Sequence, residues 1–571
     1  MRRSRWLLVF TLVVIALVAS WLWWVKPKPV DMSVHAPAHS LVYLEANSPL
    51  GVVEALEHTD AWKIVESLSG TRQNAPGNPW VRQFVAWTGL GPVESVIMTR
   101  AQVAVVVTDL GATEDADTLR IKPEGALIIE TKTSERRIRP AVEEAIKKLA
   151  ELTYGKAISR NTTIDGVNFI EWVAPEGSRQ IVAIISGSLV IVGNTRQAVQ
   201  DCLAVSQGRK PSLREDAELN RLRSQLGATH ALSFGYVPAA NSARLLSIGV
   251  PLLLGRAPAN SEFQRLIAGG ASKVVGSLAW SSRSFKTGIE DRFLFSLQPS
   301  IVARLRPAFT SVKLSSQLQK ILPNDVHSIT YYKFENPGNA WKGLKSAVSS
   351  QVDALLAVVF SSLLNSSLGS YGIDDPERFL AAVTSEIVTL RVNQNSERSL
   401  LVARVRDRAS LRELFAQTMQ ARAPRDKNNV EILDDSQGEL SAGFIGDFIV
   451  MGSPTDVRLY TEELKNNSVL SDPGKLQRLT FFVPFSSSAS IVTYADDSDR
   501  ARRFFSAVLA VNGVAPGAAT RMDQMLNDLP YSATETTLGQ HGLERTTLSP
   551  LGQFSTLLPL LIPAERAPAS P

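Results

Sequence analysis

One stretch of this chain is written twice. Residues 183–193 read AIISGSLVIVG and residues 443–452 read GFIGDFIVMG, 259 positions on when Gly187 is laid on Gly446. Each copy is an apolar run, a Gly-Ser or Gly-Asp pair, a second apolar run and a closing glycine. Glycine at the first central place of a two-residue loop is what a type II′ hairpin needs, because that place requires φ > 0. Gly187 and Gly446 are therefore expected at hairpin tips. A helix start follows each: Asn194 or Ser453 offers a capping oxygen, and Pro454 takes a first helical position where a missing N–H costs nothing.

What flanks the hairpin also recurs. His39-Ser-Leu-Val-Tyr43 is echoed by His327-Ser-Ile-Thr-Tyr331, and Gly89-Leu-Gly-Pro-Val-Glu94 by Gly372-Ile-Asp-Asp-Pro-Glu377. The strand at Leu127 matches that at Leu401, Leu219-x-Arg-Leu222 returns as Leu476-x-Arg-Leu479, and Gly288-Ile-Glu290 as Gly542-Leu-Glu544. The offsets are 288, 283, 274, 259, 257 and 254, falling without a change of order, as a duplicate with shortened loops would give. The expectation is an α+β protein of two tandem duplicated lobes with mixed or antiparallel sheets. Its parts would be a tail and transmembrane anchor (1–28), a stem (29–38), a first repeat (39–298), a linker (299–323) and a second repeat with a Pro/Ala-rich tail (324–571).

The strand after the stem, the Gly372–Glu377 step and the Gly-x-x-Val-x-x-Gly hairpin at 187–193 resemble a family of bacterial membrane-anchored envelope proteins, catalogued as a domain of unknown function. The resemblance implies an extracytoplasmic, duplicated α+β body and no established activity, so it assigns no catalytic residues.

Residues 6–25 carry no charge, long enough to cross a hydrocarbon core of about 30 Å. Three arginines precede them, and Trp6, Trp21, Trp23 and Trp24 sit at the ends as interfacial aromatics do. The expected topology is single-pass, with the N-terminus cytoplasmic and the bulk extracytoplasmic. The competing reading is a cleaved signal peptide ending near Val18-Ala19-Ser20; the apolar run passes beyond that point, which favours the anchor. Five of the 60 Lys and Arg flank this segment, leaving 55 against 55 Asp and Glu. A neutral body lacks the basic surplus that phosphate backbones demand, so nucleic acid is excluded as a partner. The single cysteine, Cys202, lies in a helix where a small apolar residue would serve equally.

Signatures of chemistry are missing. One cysteine rules out Cys-based metal and CxxC sites, and no HExxH, GxSxG, Ser-x-x-Lys or Walker A pattern occurs. No cofactor or metal is expected. Glu290 and Glu544 hold equivalent places and could work as an acid–base pair, but an ion pair with the adjacent Arg292 or Arg545 is the simpler reading. His39 and His327 are equivalent too, and a hydrogen-bonded structural role is favoured over a base. Trp80, Phe84 and Trp87 form one helical stripe, read as core rather than a sugar platform.

Residues 346–365, SAVSSQVDALLAVVFSSLLN, place Val348, Val352, Leu355, Leu356, Val359, Phe360, Leu363 and Leu364 on one wide helical face opposite serines. Core burial is the leading reading of that face; a subunit contact or a wall for a lipid-like ligand are the others. The function expected is a membrane-anchored binding or scaffold protein of the envelope, with a protein partner or apolar ligand. A carrier for an apolar ligand and an unsignalled envelope hydrolase are the alternatives.

Overall fold

The computed structural model describes residues 29–69, 101–115, 118–177, 179–253, 261–312, 318, 321–323, 326–352, 354–392, 399–419, 430–435, 437–465, 488–510 and 518–561. Among the described residues nineteen strands join in one sheet. In chain order they begin with β1 (Val42–Ala46), β2 (Gln102–Asp115), β3 (Thr118–Glu130), β4 (Ile158–Ile164), β5 (Val167–Val173), β6 (Gln180–Ser186) and β7 (Leu189–Gly193). β8 (Ser233–Val237), β9 (Val275–Phe285), β10 (Gly288–Leu297), β11 (Ser328–Tyr332), β12 (Val383–Arg391) and β13 (Leu400–Val405) follow. The last are β14 (Val430–Asp434), β15 (Ser441–Ile445), β16 (Phe448–Gly452), β17 (Ile491–Ala495), β18 (Ser532–Leu538) and β19 (Gly542–Ser549).

Among the described residues every pairing between these strands is antiparallel, so the coarse expectation of an α+β fold with a large antiparallel sheet holds. Residues before 298 build the run β10-β9-β8-β1-β2-β3-β7-β6-β5-β4. Those after it build β19-β18-β17-β11-β12-β13-β16-β15-β14. The runs meet where β10 pairs with β19.

Side chains alternate between the two faces, and both faces are covered. One face packs on the helices Arg196–Ser206 and Ala217–Gln225 through Phe169, Ile184, Val199 and Leu222, and on Pro454–Lys465 through Tyr331, Val450 and Tyr460. The opposite face carries four further clusters. Its outer parts are covered by the helices Glu135–Tyr154 (Ile138, Val142, Ile146) and Arg408–Thr418 (Leu411, Leu414, Phe415).

Near the junction the helices cross from one run to the other. Call α1 Pro49–Glu57, α2 Asp60–Ser69, α3 Ser261–Ser272, α4 Pro299–Leu305, α5 Pro337–Ser349, α6 Ala354–Gly369, α7 Ser498–Ala510, α8 Ala518–Leu526 and α9 Phe554–Leu561. Val52, Leu56 and Ala61 of α1 and α2 share one core with Phe504, Phe505, Met522 and Phe554 of α7, α8 and α9. Trp62 lies 5.8 Å from Phe505, centroid to centroid. A second cluster joins Ile301 and Leu305 of α4 to Ala347 of α5, with Leu344 and Leu538 against it. α3 meets α6 as well, where a Cβ on Gly270 would stand 2.6 Å from Leu356 Cδ1.

The hairpins follow the glycines. Gly187 (φ +63°) and Gly446 (φ +56°) lie in two-residue loops between β6 and β7 and between β15 and β16. Ser453 caps its helix, accepting from Asp456 N. After β7 the cap is Thr195, which accepts from Ala198 N, while Asn194 instead bridges Gly125 N and Pro123 O. Within 29–38, Met32–His35 is a 3₁₀ turn with Met32 fully buried, and Arg223 holds Asp31 at 2.7 Å.

Two expectations are overturned. Among the described residues no helix is long and apolar enough to cross a membrane, and the expected segment 6–25 lies outside them. The most apolar described helices are too short: α6, with 16 residues, spans only about 24 Å. The single-pass topology, with its cytoplasmic N-terminus and extracytoplasmic bulk, is therefore not supported. The serine-leucine helix is likewise not continuous, since α5 and α6 are separated by a turn at 350–352. Ser350 Oγ donates to Ala347 O there, and serines that bond the preceding carbonyls compete with helix propagation. The aromatic stripe at Trp80, Phe84 and Trp87 and the landmark 476–479 lie outside the described residues.

Candidate functional site

The two junction clusters leave the middle of β10 between them. On β10 the lower cluster takes Ile289 and the upper takes Leu297, so Asp291, Phe293 and Phe295 lie between. Register extends these into rows across the sheet.

The row through Asp291 is polar. Ser233, Ser282, Asp291, Thr547, Thr534, Thr493, Thr330 and Thr389 stand opposite one another across eight strands. Neighbouring hydroxyls bond in pairs, Thr330 with Thr493 and Thr534 with Thr547, each at 3.0 Å. Asp291 is 3% exposed and accepts from Ser282 Oγ and from Gln553 N at 2.9 Å. Gln553 Nε2 donates to Ser282 Oγ, so the loop leading into α9 is tied to β9 and β10. Gly552 at φ +60° lets that loop close, since a Cβ there would meet Ile289 at 2.5 Å. Burial pushes the Asp291 carboxyl up to about 6, against the pull of Ser282, Gln553 and Arg500. Burial likewise raises Asp497, which Arg500 contacts at 3.3 Å.

The next row is mixed. Leu127, Val105, Leu44, Gly235, Trp280, Phe293, Arg545 and Thr536 stand opposite one another from β3 to β18. Gly235 has a stated reason: a Cβ there would lie 2.2 Å from the Trp280 six-membered ring, so the indole lies across β8. Arg545 reaches solvent, and among the described residues no carboxylate pairs with it. Partial burial and then the nearby Arg500 push its guanidinium below the usual arginine range.

The residues singled out from sequence do not converge. Glu290 is buried and pairs with Arg283 across the strands at 2.8 Å and with Arg292 along its own strand. Glu544 instead accepts from Gln225 at 3.3 Å, and Arg545, as its neighbour in a strand, points to the other face. The two glutamates share a face but sit four positions apart, about 13 Å, too far to share a proton. His39 lies 3.7 Å from Asp201 and is largely exposed, whereas His327 Nδ1 is buried without a hydrogen-bond partner. Cys202 is buried and its thiol is pushed up to about 12, first by burial and then by Asp201.

Of the apolar face, Val348 is buried on α5, Leu356 is buried on α6, Val352 lies in the intervening turn, and Phe360 is half-buried. The side chains of Leu355, Val359 and Leu363 lie outside the described residues. An open hollow of about 930 Å³ runs along the other side of α6, lined by Lys345, Val358, Ser362, Asn365, Ser366 and Asp374. Among the described residues no group of three or more His, Cys, Asp or Glu could hold a metal. Sequence reasoning missed Trp280 and Asp291 and took Arg545 only as an ion-pair partner of Glu544, because the meaning of all three depends on strand neighbours distant in the chain.

No protein-family model matches the chain. No curated protein matches it either. Among solved structures, crystal form I of TP0453 is similar at 11% identity, over 51% of this chain and 83% of that one. Its TM-score of 0.23 is too low to carry an argument about fold or function.

Proposed function

We propose that this chain is a non-catalytic binding or scaffold protein whose body is a tandem duplication locked into one unit. The register of the junction carries the reading. Outward from it, nine strands follow the same order on each side (β10 answering β19, β9 answering β18, and so on to β5 and β14), with β4 the extra strand. The helix pairs that cross the junction answer each other as well, α2 on α8 and α6 on α3. Duplicated lobes that bury each other's helices present one rigid platform rather than a hinged cleft.

Two measurements test this. Urea unfolding followed by circular dichroism and by tryptophan fluorescence should give one coincident transition; separate lobe transitions would contradict the locked body. A panel of ester, phosphoester and glycoside substrates should give no turnover. Turnover abolished by one substitution on the central rows would overturn the non-catalytic reading.

A further inference from the structure

The mixed row names a ligand class, and this step rests on the binding reading above. Five of its side chains are apolar (Leu127, Val105, Leu44, Trp280 and Phe293), and the sixth, directly opposite Phe293, is Arg545. The apolar end reaches solvent: Val105 is 38% and Leu127 37% exposed. Trp280 lies down over a glycine, which turns an indole edge into a flat surface. At the other end no carboxylate among the described residues pairs with Arg545, and Arg500 repels it. A row of seven strands at about 4.8 Å spacing is roughly 29 Å long. An extended apolar chain fits the first part and an anion the last, because a guanidinium paired with no carboxylate among the described residues gains most from a bidentate acceptor.

We propose that the row from Leu127 to Arg545 binds a single-chain amphiphile with an anionic head, the head at Arg545 and the chain along Phe293, Trp280, Leu44 and Val105. The apolar row supplies affinity and Arg545 supplies head-group selectivity. The Thr536 hydroxyl beyond it offers a further donor.

The test is calorimetric titration of the full chain, below micelle concentrations, with dodecanoate, dodecyltrimethylammonium and inorganic phosphate. Dodecanoate should bind, the cation of equal chain length at least roughly 10-fold more weakly, and phosphate alone not measurably. Arg545→Gln should weaken dodecanoate by about 10-fold or more, with an unchanged melting curve, and leave the cation unaffected. Trp280→Ala, two strands from Arg545, should weaken dodecanoate but not hexanoate, whose chain ends short of it. Equal binding of both dodecyl probes, or dodecanoate affinity untouched by Arg545→Gln, would overturn the proposal. Phosphate binding as tightly as dodecanoate would mean a free-anion site and overturn it too. A protein that binds none of the three but unfolds in one transition loses this platform and keeps its two-lobed body.

Discussion

Arg292 on β10 stands directly opposite Thr546 on β19. Each is four residues past the glycine that opens its strand, Gly288 or Gly542, so the two hold the same place in their own run. The pairs on either side obey the same rule: Ile289 faces Ser549 while Leu543 faces Phe295. A self-complementary edge of this kind is what a two-fold interface between identical subunits has, and it supports the proposed duplication. Asp291 and Arg545 are counterparts under that relation and carry opposite charges, so the central rows are polar in different ways on the two sides.

The shared core beside the junction sets the first expectation. Phe504 is fully buried among residues of both runs. Phe504→Ala should cost about 3–5 kcal/mol and shift a single urea transition without splitting it. Leu356→Ala, which opens the contact with Gly270, should cost about 2–5 kcal/mol. A Leu356→Ala protein that melts like its parent would show that this helix is not core.

Acidity should strengthen the fold through Asp291. Its carboxyl is pushed up to about 6 from 3.8, so the folded state holds the proton more tightly than the unfolded chain. The contribution is fully present below about pH 4 and is lost as pH rises through 6, on the order of 3 kcal/mol in all. Asp291→Asn should therefore raise the urea midpoint at pH 7, change little at pH 4, and flatten the slope between. An equal loss at both pH values would mean that the hydrogen bonds to Ser282 and Gln553 matter and the charge does not.

The hairpin glycines separate backbone strain from packing. Nothing lies within 4 Å of a Cβ added at Gly187 or Gly446. Gly187→Val or Gly446→Val should thus cost roughly 1–3 kcal/mol through positive φ alone. Asn, which tolerates that region, should cost much less at either site. Thermal melts of the four variants decide it.

Cys202 should be silent. With its thiol pushed up to about 12 inside the core, it should resist a disulfide-exchange reagent in the native protein and react only after denaturation.

Local rules were legible in the sequence where they act within a few residues. The hairpin tips at Gly187 and Gly446 and the Ser453–Pro454 helix start follow from backbone chemistry that neighbours cannot easily override. Asn194 is not the cap that its place suggests, because Thr195 beside it does the same work and the distant strand β3 takes the Asn194 side chain. The break between α5 and α6 was hidden because periodicity counts apolar faces and ignores serines competing for carbonyls. Trp280 over Gly235, Arg545 opposite Phe293 and the buried Asp291 could not be read at all. Each depends on which strands are neighbours, and β8 with β9 or β10 with β19 are joined across 38 to more than 240 residues of chain.

Native-state hydrogen exchange at the junction tests the central claim most directly. If the two runs are one locked body, the amides of β10 and β19 should open only with global unfolding, at the same free energy as β6 in one run and β15 in the other. Junction amides that exchange well before both cores, or two cores that open at different free energies, would contradict it.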